Sequence, residues 1–229
     1  MKIEEISINS KEYPKKLKNI YDPPSKLYVL GDKRLLHQKG ISIVGARNAT
    51  QYGREVAYKT SKELAENGIN IISGLAIGID TCAHLGAMQL ESIMQDKIQQ
   101  KLSKIGRTIA VLGSGINNIY PKENIQLARE IIKTGGCIIS EYPLNAKPEK
   151  IHFPQRNRII SALSDGVLVV EASKTSGALI TAEFALEQGK DVFAIPGDIT
   201  KEQSKGCNEL IKDGAILITS SQEILDIIN

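Results

Sequence analysis

The chain has 229 residues, 41% of them hydrophobic but only 4% aromatic, with no tryptophan and a formal charge of +3. That length fits one sizeable α/β domain with at most a small appendage, and the core must be built from Ile, Val, Leu and Ala, as in strands covered by helices on both faces. So small a charge excludes overall basicity as an argument for nucleic acid, and no apolar run reaches the length that spans a bilayer.

The N-terminal residues Met1-Lys2-Ile3-Glu4-Glu5 lack the apolar core of a signal peptide. Cys82, Cys137 and Cys207 are odd in number, widely separated and outside any CxxC or Cys/His cluster. They read as reduced, mostly buried thiols of a soluble cytoplasmic protein, and no metal-ligand spacing is present.

In chain order, the polar stretch before Leu27, with Pro14, Pro23 and Pro24, predicts an extended arm over residues 1–30, leaving 31–229 as the domain proper. Short runs rich in Ile and Val at 41–44, 69–72, 108–112, 137–140, 167–170, 191–195 and 215–218 predict strands. Helices are predicted between and after them at 53–67, 80–104, 122–134, 154–163, 176–188, 206–213 and 221–228, with Gly68, Gly135 and Gly189 as C-terminal stops. Such alternation is the mark of βαβ units. It predicts an extended Rossmann-like α/β fold: a doubly wound, mostly parallel sheet with helices on both faces and its loops gathered at the carboxyl ends of the strands. In residues 88–105, Leu90, Ile93, Met94, Ile98, Leu102 and Ile105 form an approximate helical stripe, for packing on the domain or for a subunit contact.

Several predicted strands end in turns of small residues. Gly45-Ala46-Arg47 stands where a dinucleotide-binding protein carries its GxGxxG, but the second glycine is missing. A side chain there hinders close approach of a pyrophosphate, so no nicotinamide or flavin cofactor is expected; Arg47 offers a bidentate phosphate clamp, or is a surface residue at a tight turn. Ser73-Gly74, Gly113-Ser114-Gly115 and Ser176-Gly177 repeat the pattern, the last leading into a helix with Thr181 and Glu183. Each alone is compatible with a plain turn; together, exposed N–H groups and hydroxyls make anion-binding concavities on one rim.

Residues 147–158 hold Lys147, Lys150, Arg156 and Arg158 against Glu149, so this segment accounts for the whole net charge of +3. Pro143 and Pro154 keep the loop irregular until a helix begins. In that loop Phe153 beside Lys150 reads as a stacking platform next to a phosphate contact, or as a plug anchoring the loop in the core. Arg156 and Arg158, with Asn157 between them, sit on a first helical turn and cannot face the same way, so one is expected to touch ligand and the other to brace the fold. Asp80 with His84 four residues on reads as a helix cap with a flanking histidine rather than an acid and base. No catalytic constellation is evident.

With these residues collected, the chain resembles the DNA-processing protein A (DprA, also called Smf) family. The resemblance rests on Gly45-Ala-Arg47 with Tyr52-Gly53, Ser73-Gly-Leu-Ala-Ile-Gly78-Ile-Asp80 with Ala83-His84, Ala-Val-Leu-Gly113-Ser-Gly115 with Tyr120-Pro121 and Asn124, and Ser140-Glu141 with Pro143. Phe153-Pro-Gln-Arg156-Asn157-Arg158, Glu171, Ser176-Gly177, Thr181, Pro196-Gly197, and Gly206 with Asn208 and Gly214-Ala215 continue it over nearly the whole chain. It covers the family's Rossmann-like core; the N-terminal helical domain of the sterile-alpha-motif type and the C-terminal winged helix that members often carry have no counterpart in these residues.

The resemblance implies a domain that binds single-stranded DNA without catalysis, dimerises, and helps load a RecA-type recombinase during natural transformation. By position in the motifs, the family's strand-binding pocket carries over to Arg47, Lys150 and Phe153, with the Ser and Gly turns beside them. Two other readings stand open. One is a nucleotide-cleaving hydrolase, since Ser176-Gly177-Ala-Leu-Ile-Thr181-Ala-Glu183 is loosely similar to the glycine-rich motif of the lysine-decarboxylase-like phosphoribohydrolases, with Glu183 as general acid or base. The other is a nucleotide carrier or sensor using the same pocket.

Overall fold

The computed structural model describes residues 2–88 and 106–229. First come β1 (Glu4–Ser7), α1 (Lys15–Lys18) and β2 (Lys26–Gly31), then β3 (Gly40–Val44), α2 (Gln51–Glu66), β4 (Asn70–Ser73) and α3 (Ile79–Met88). Beyond the undescribed stretch lie β5 (Thr108–Val111), α4 (Ile125–Lys133), β6 (Cys137–Ser140), α5 (His152–Leu163) and β7 (Gly166–Val169). The last elements are α6 (Gly177–Glu187), β8 (Asp191–Ala194), α7 (Glu202–Lys212), β9 (Ile216–Leu217) and α8 (Ser221–Ile228).

Among the described residues these strands form one sheet in the order β1-β2-β6-β5-β4-β3-β7-β8-β9. Strands β3 to β9 pair in parallel, whereas β2 runs antiparallel to β6 and β1 antiparallel to β2. The chain winds outward from β3 in one direction through β4, β5 and β6, then returns to add β7, β8 and β9 on the other flank. The strand order therefore reverses between β3 and β7, and in open α/β sheets the crevice at the carboxyl ends of such a pair is where ligands bind.

Side-chain alternation explains the two covered faces. Ile41 and Ile43 of β3 and Leu168 of β7 pack with α2, α3 and α8, while Val44, Val167 and Val169 face the opposite layer with Ile159, Ala162 and Leu163 of α5 and Ala178, Ala182 and Ala185 of α6. Ser42 lies on this second face too, and it is tolerated there because its hydroxyl donates to the Ile160 carbonyl at 2.8 Å. A third cluster joins Leu127, Ala128 and Ile131 of α4 to Ala110 and Ile138.

The seven predicted strands are all present, none displaced by more than one residue at either end. Gly68, Gly135 and Gly189 adopt positive φ of 83°, 82° and 66° after α2, α4 and α6, which is the left-handed stop expected of them. Other expectations need correction. Residues 4–7 and 26–31, within and at the end of the stretch read as an arm, are strands of the sheet, and Ile6, Tyr13, Leu17, Leu27 and Val29 are buried in the same cluster as α5. Helix α7 starts at Glu202, four residues before the predicted 206. The predicted course of the α3 helix beyond Met88, with its stripe from Leu90 to Ile105, lies outside the described residues.

Helices α2 and α3 cross at Gly86, where a methyl group would overlap the Tyr58 carbonyl oxygen and the Ser61 hydroxyl. Since backbone lies on one side, that overlap is not relieved by a rotamer change. Gly86→Ala is expected to lower stability by about 1–3 kcal/mol despite alanine's better helix propensity, read as a lower urea midpoint; an unchanged midpoint contradicts this packing.

Candidate functional site

A cleft of about 710 Å³ opens at the carboxyl ends of β3 and β7, where the strand order reverses. One wall is the turn after β3, Gly45 to Asn48; the second is the start of α5 with Lys150, Phe153, Arg156 and Asn157; the third is the start of α6 with Ser176, Gly177 and Thr181. Tyr120, Asp80, Glu202 and Gln203 also line it.

Phe153 sits in the first turn of α5, not in an extended loop as expected, because Pro154 directly after it is compatible with that turn. Its ring is half-buried and rests on Gly113, where a methyl group would come within 2.8 Å of Cδ1. The Arg47 guanidinium carbon lies 5.8 Å from the ring centroid, and the ring of Tyr120, itself 44% exposed, stands 5.5 Å away at a 46° tilt. Arg47 and Lys150 are exposed, and neither is in an ion pair among the described residues. Two cations and two aromatic rings therefore share one rim, the combination that engages a phosphate and the face of a base together.

The small-residue turns behave differently from their sequence reading, because several of their groups are used within the protein. Ser73 is fully buried and donates to the Ile43 carbonyl at 2.7 Å. The Gly74 and Ala76 amides both donate to Asp80 Oδ2, at 3.1 and 3.3 Å. Ser114 donates to the Asn118 carbonyl, and the Gly115 amide to the Ala146 carbonyl. The Ala46 amide, next to Gly45, donates to the Glu171 carbonyl at 2.7 Å. Gly45 itself is needed for packing, since a methyl group there would meet Ile79 Cγ1 at 2.6 Å. The fourth turn is open: Ser176 caps α6, accepting from the Ala178 amide, and Gly177 has nothing within 4 Å of where a side chain would begin. This puts the positive end of a helix dipole in the cleft. Asn157 ties it to α5 by donating to the Gly177 carbonyl at 3.2 Å.

The two arginines of α5 divide, Arg156 lining the cleft and Arg158 facing away from it. Arg156, 5% exposed, lies under the cleft floor with Nη1 donating to the carbonyls of Gly74 and Val111, which ties the ends of β4 and β5 to the helix. Burial pulls its pKa down to about 10 against the pull of Asp80, and burial likewise raises the Asp80 carboxyl although Arg156 and two amides favour its charge. Arg158 is absent from the cleft lining and pairs with Glu141 on the far side of α5. Sequence reasoning left Tyr120 and Gln203 out of the site; the Tyr120-Pro121 pair after the Gly113–Gly115 turn was the available signal. Glu183 is exposed and outside the cleft, so the acid or base proposed for base release does not reach it. Among the described residues no group of three His, Cys, Asp or Glu side chains is arranged to hold a metal ion.

Fold and cleft together define a Rossmann-like protein with a cationic, aromatic-walled site at its switch point. The chain belongs to the DNA recombination-mediator protein A family, whose model matches residues 4–229. It is similar to DNA processing protein DprA of Bacillus subtilis, with 45% identity over 98% of this chain and 71% of that protein. Among solved structures it is similar to DNA processing protein A of Streptococcus pneumoniae, with a TM-score of 0.87 and 42% identity over 98% of this chain and 74% of that one. It is also similar to DNA processing protein A of Helicobacter pylori, the subject of a structural study of a single-stranded DNA binding mode, with a TM-score of 0.81 and 32% identity over 98% of this chain and 95% of that one.

His84 is fully buried beneath this site. Thr108 donates its hydroxyl proton to the Ile71 carbonyl, so His84 Nδ1, 2.6 Å from the same hydroxyl oxygen, carries a proton and Nε2 does not. Nε2 has no partner among the described residues. Burial, with Arg156 nearby, pushes the His84 pKa from 6.5 down to about 3. The unfolded chain therefore takes up a proton that the folded chain refuses, and this contribution to stability falls as pH drops from 6.5 toward 3. Between pH 7 and pH 5 the wild type is expected to lose about 2 kcal/mol more than His84→Gln in urea titrations. Equal losses in the two proteins contradict the assignment.

Proposed function

We propose that this chain binds single-stranded DNA without regard to base sequence in the switch-point cleft, as a cytoplasmic homodimer that passes the strand to a RecA-type recombinase. The observation that carries the reading is the rim on which the Arg47 guanidinium lies over the Phe153 ring, with Lys150 lining the same cleft. Support also comes from the family's description as recombination mediators and from the binding mode studied in the H. pylori relative.

A flexible single strand can turn its phosphates to Arg47 and Lys150 while laying a base against Phe153 or Tyr120. A duplex keeps its bases stacked and paired, so it offers these rings nothing to stack on. Phosphate contact and ring stacking are indifferent to base identity, because neither reads hydrogen-bonding edges. The same arrangement binds without breaking bonds: of the two carboxylates lining the cleft, Asp80 is held by two amides and Glu202 is paired with Lys205, and Glu183 lies elsewhere.

Labelled oligo-dT is expected to bind more tightly than duplex of the same length and to resist displacement by mononucleotides. Replacing both Arg47 and Lys150 with Ala should weaken binding to all sequences alike, and Phe153→Ala should cost about tenfold or more, the equivalent of roughly 1–3 kcal/mol for one stacked base. Undiminished binding by the double variant removes this site. Displacement by a mononucleotide at equal concentration favours a carrier, and release of free base from nucleoside monophosphates a hydrolase.

A further inference from the structure

Arg158 points away from the cleft, yet it is bound to the segment that presents the cleft's cation and ring. Its Nη1 and Nη2 donate to Glu141 Oε1 and Oε2, both at 2.7 Å, and Nη1 donates also to the Gln155 carbonyl at 2.9 Å. Nε donates to the Asp22 carbonyl at 2.9 Å and lies 3.3 Å from the Asp22 carboxylate. Four of its five N–H donors are thus engaged, and no fork remains for a phosphate.

Glu141 is the first residue after β6, and Arg158 is in the second turn of α5. Their bidentate pair closes the base of the loop that carries Lys150 and leads directly into Phe153. Other contacts at the same ends agree: the Tyr142 ring stacks on His152 at 3.9 Å, and its hydroxyl lies 3.3 Å from Gln155 Oε1. Farther along, the loop is held against the 115–118 turn, where the Gly115 and Asn117 amides donate to the Ala146 and Leu144 carbonyls at 2.9 Å.

We infer that Arg158 and Glu141 are positioning residues that clamp the base of this loop and so hold Lys150 and Phe153 at the cleft rim. The inference rests on the cleft being the single-stranded DNA site. Both partners are largely shielded from water, so removing Arg158 leaves the Glu141 charge uncompensated, and removing Glu141 leaves Arg158 only the exposed Asp22 carboxylate on its other edge. The loop then loses its closure, and binding has to restore an order that the wild type already has.

The test is oligo-dT affinity at several salt concentrations for wild type, Arg158→Ala, Glu141→Ala, and the charge-reversed pair Arg158→Glu with Glu141→Arg. The clamp predicts that Arg158→Ala weakens binding about tenfold while the slope of log K against log salt stays that of wild type. It also predicts that Glu141→Ala weakens binding although it removes a negative charge near a polyanion, and that the reversed pair recovers part of the loss. A slope smaller by about 0.7 in Arg158→Ala, with Glu141→Ala equal to wild type or tighter, assigns Arg158 to direct phosphate contact and overturns the clamp. Wild-type affinity in both single variants overturns it too. Failure of the wild type itself to bind oligo-dT removes the cleft reading instead, so the two failures are told apart.

Discussion

The site depends on a buried guanidinium. Arg156 reaches under the cleft floor from α5 and donates to carbonyls at the carboxyl ends of β4 and β5, while Asp80 gathers the amides of Gly74 and Ala76 from the same edge. A guanidinium taken out of water is costly unless its donors are met, and here two strand-end carbonyls meet Nη1 while Asn157 Oδ1 meets Nε. Helix α5 is thereby fixed against the sheet, and with it Phe153, one helical turn before Arg156. Asn157 extends the linkage to the start of α6.

This arrangement changes what kind of grip the rim provides. Turns rich in Gly and Ser suggest a cradle of backbone N–H groups, as in nucleotide-binding folds. In this chain the amides of Gly74 and Ala76 serve Asp80, that of Ala46 serves Glu171 and that of Gly115 serves the loop after β6, while the side chains offered to a ligand are two exposed cations and two rings beside one helix N-terminus. Such groups adjust to a strand whose phosphates are irregularly spaced. A rigid amide cradle suits a single phosphate group better.

How much of this was legible in the sequence follows from the range of each signal. The parallel strands were readable because the central ones, β3 to β7, are buried on both faces and so appear as short runs dominated by Ile and Val. Strands β1 and β2 were not: β1 reads Glu-Glu-Ile-Ser with one buried residue, and β2 alternates behind prolines that argue for an arm. Arg47, Lys150 and Phe153 could be placed on one rim from their positions at strand and helix ends. The destination of a turn's N–H groups could not, since it depends on partners such as Ala146 or Glu171 that are distant in sequence or contribute only a carbonyl. Arg158 illustrates the same limit, because nothing within its own helix shows that Glu141, 17 residues earlier, occupies its fork.

The central claim is that a single strand is held in the cleft chiefly by two side-chain cations, with the amides of Ala46, Gly74 and Gly115 committed elsewhere. The salt dependence of wild-type binding to an oligo-dT short enough to fill one cleft tests it most directly. Two phosphates neutralised on a single strand predict a slope of log K against log salt near −1.4, at roughly 0.7 per phosphate. A slope steeper than about −3 means that charged contacts extend well beyond Arg47 and Lys150, and it contradicts this account.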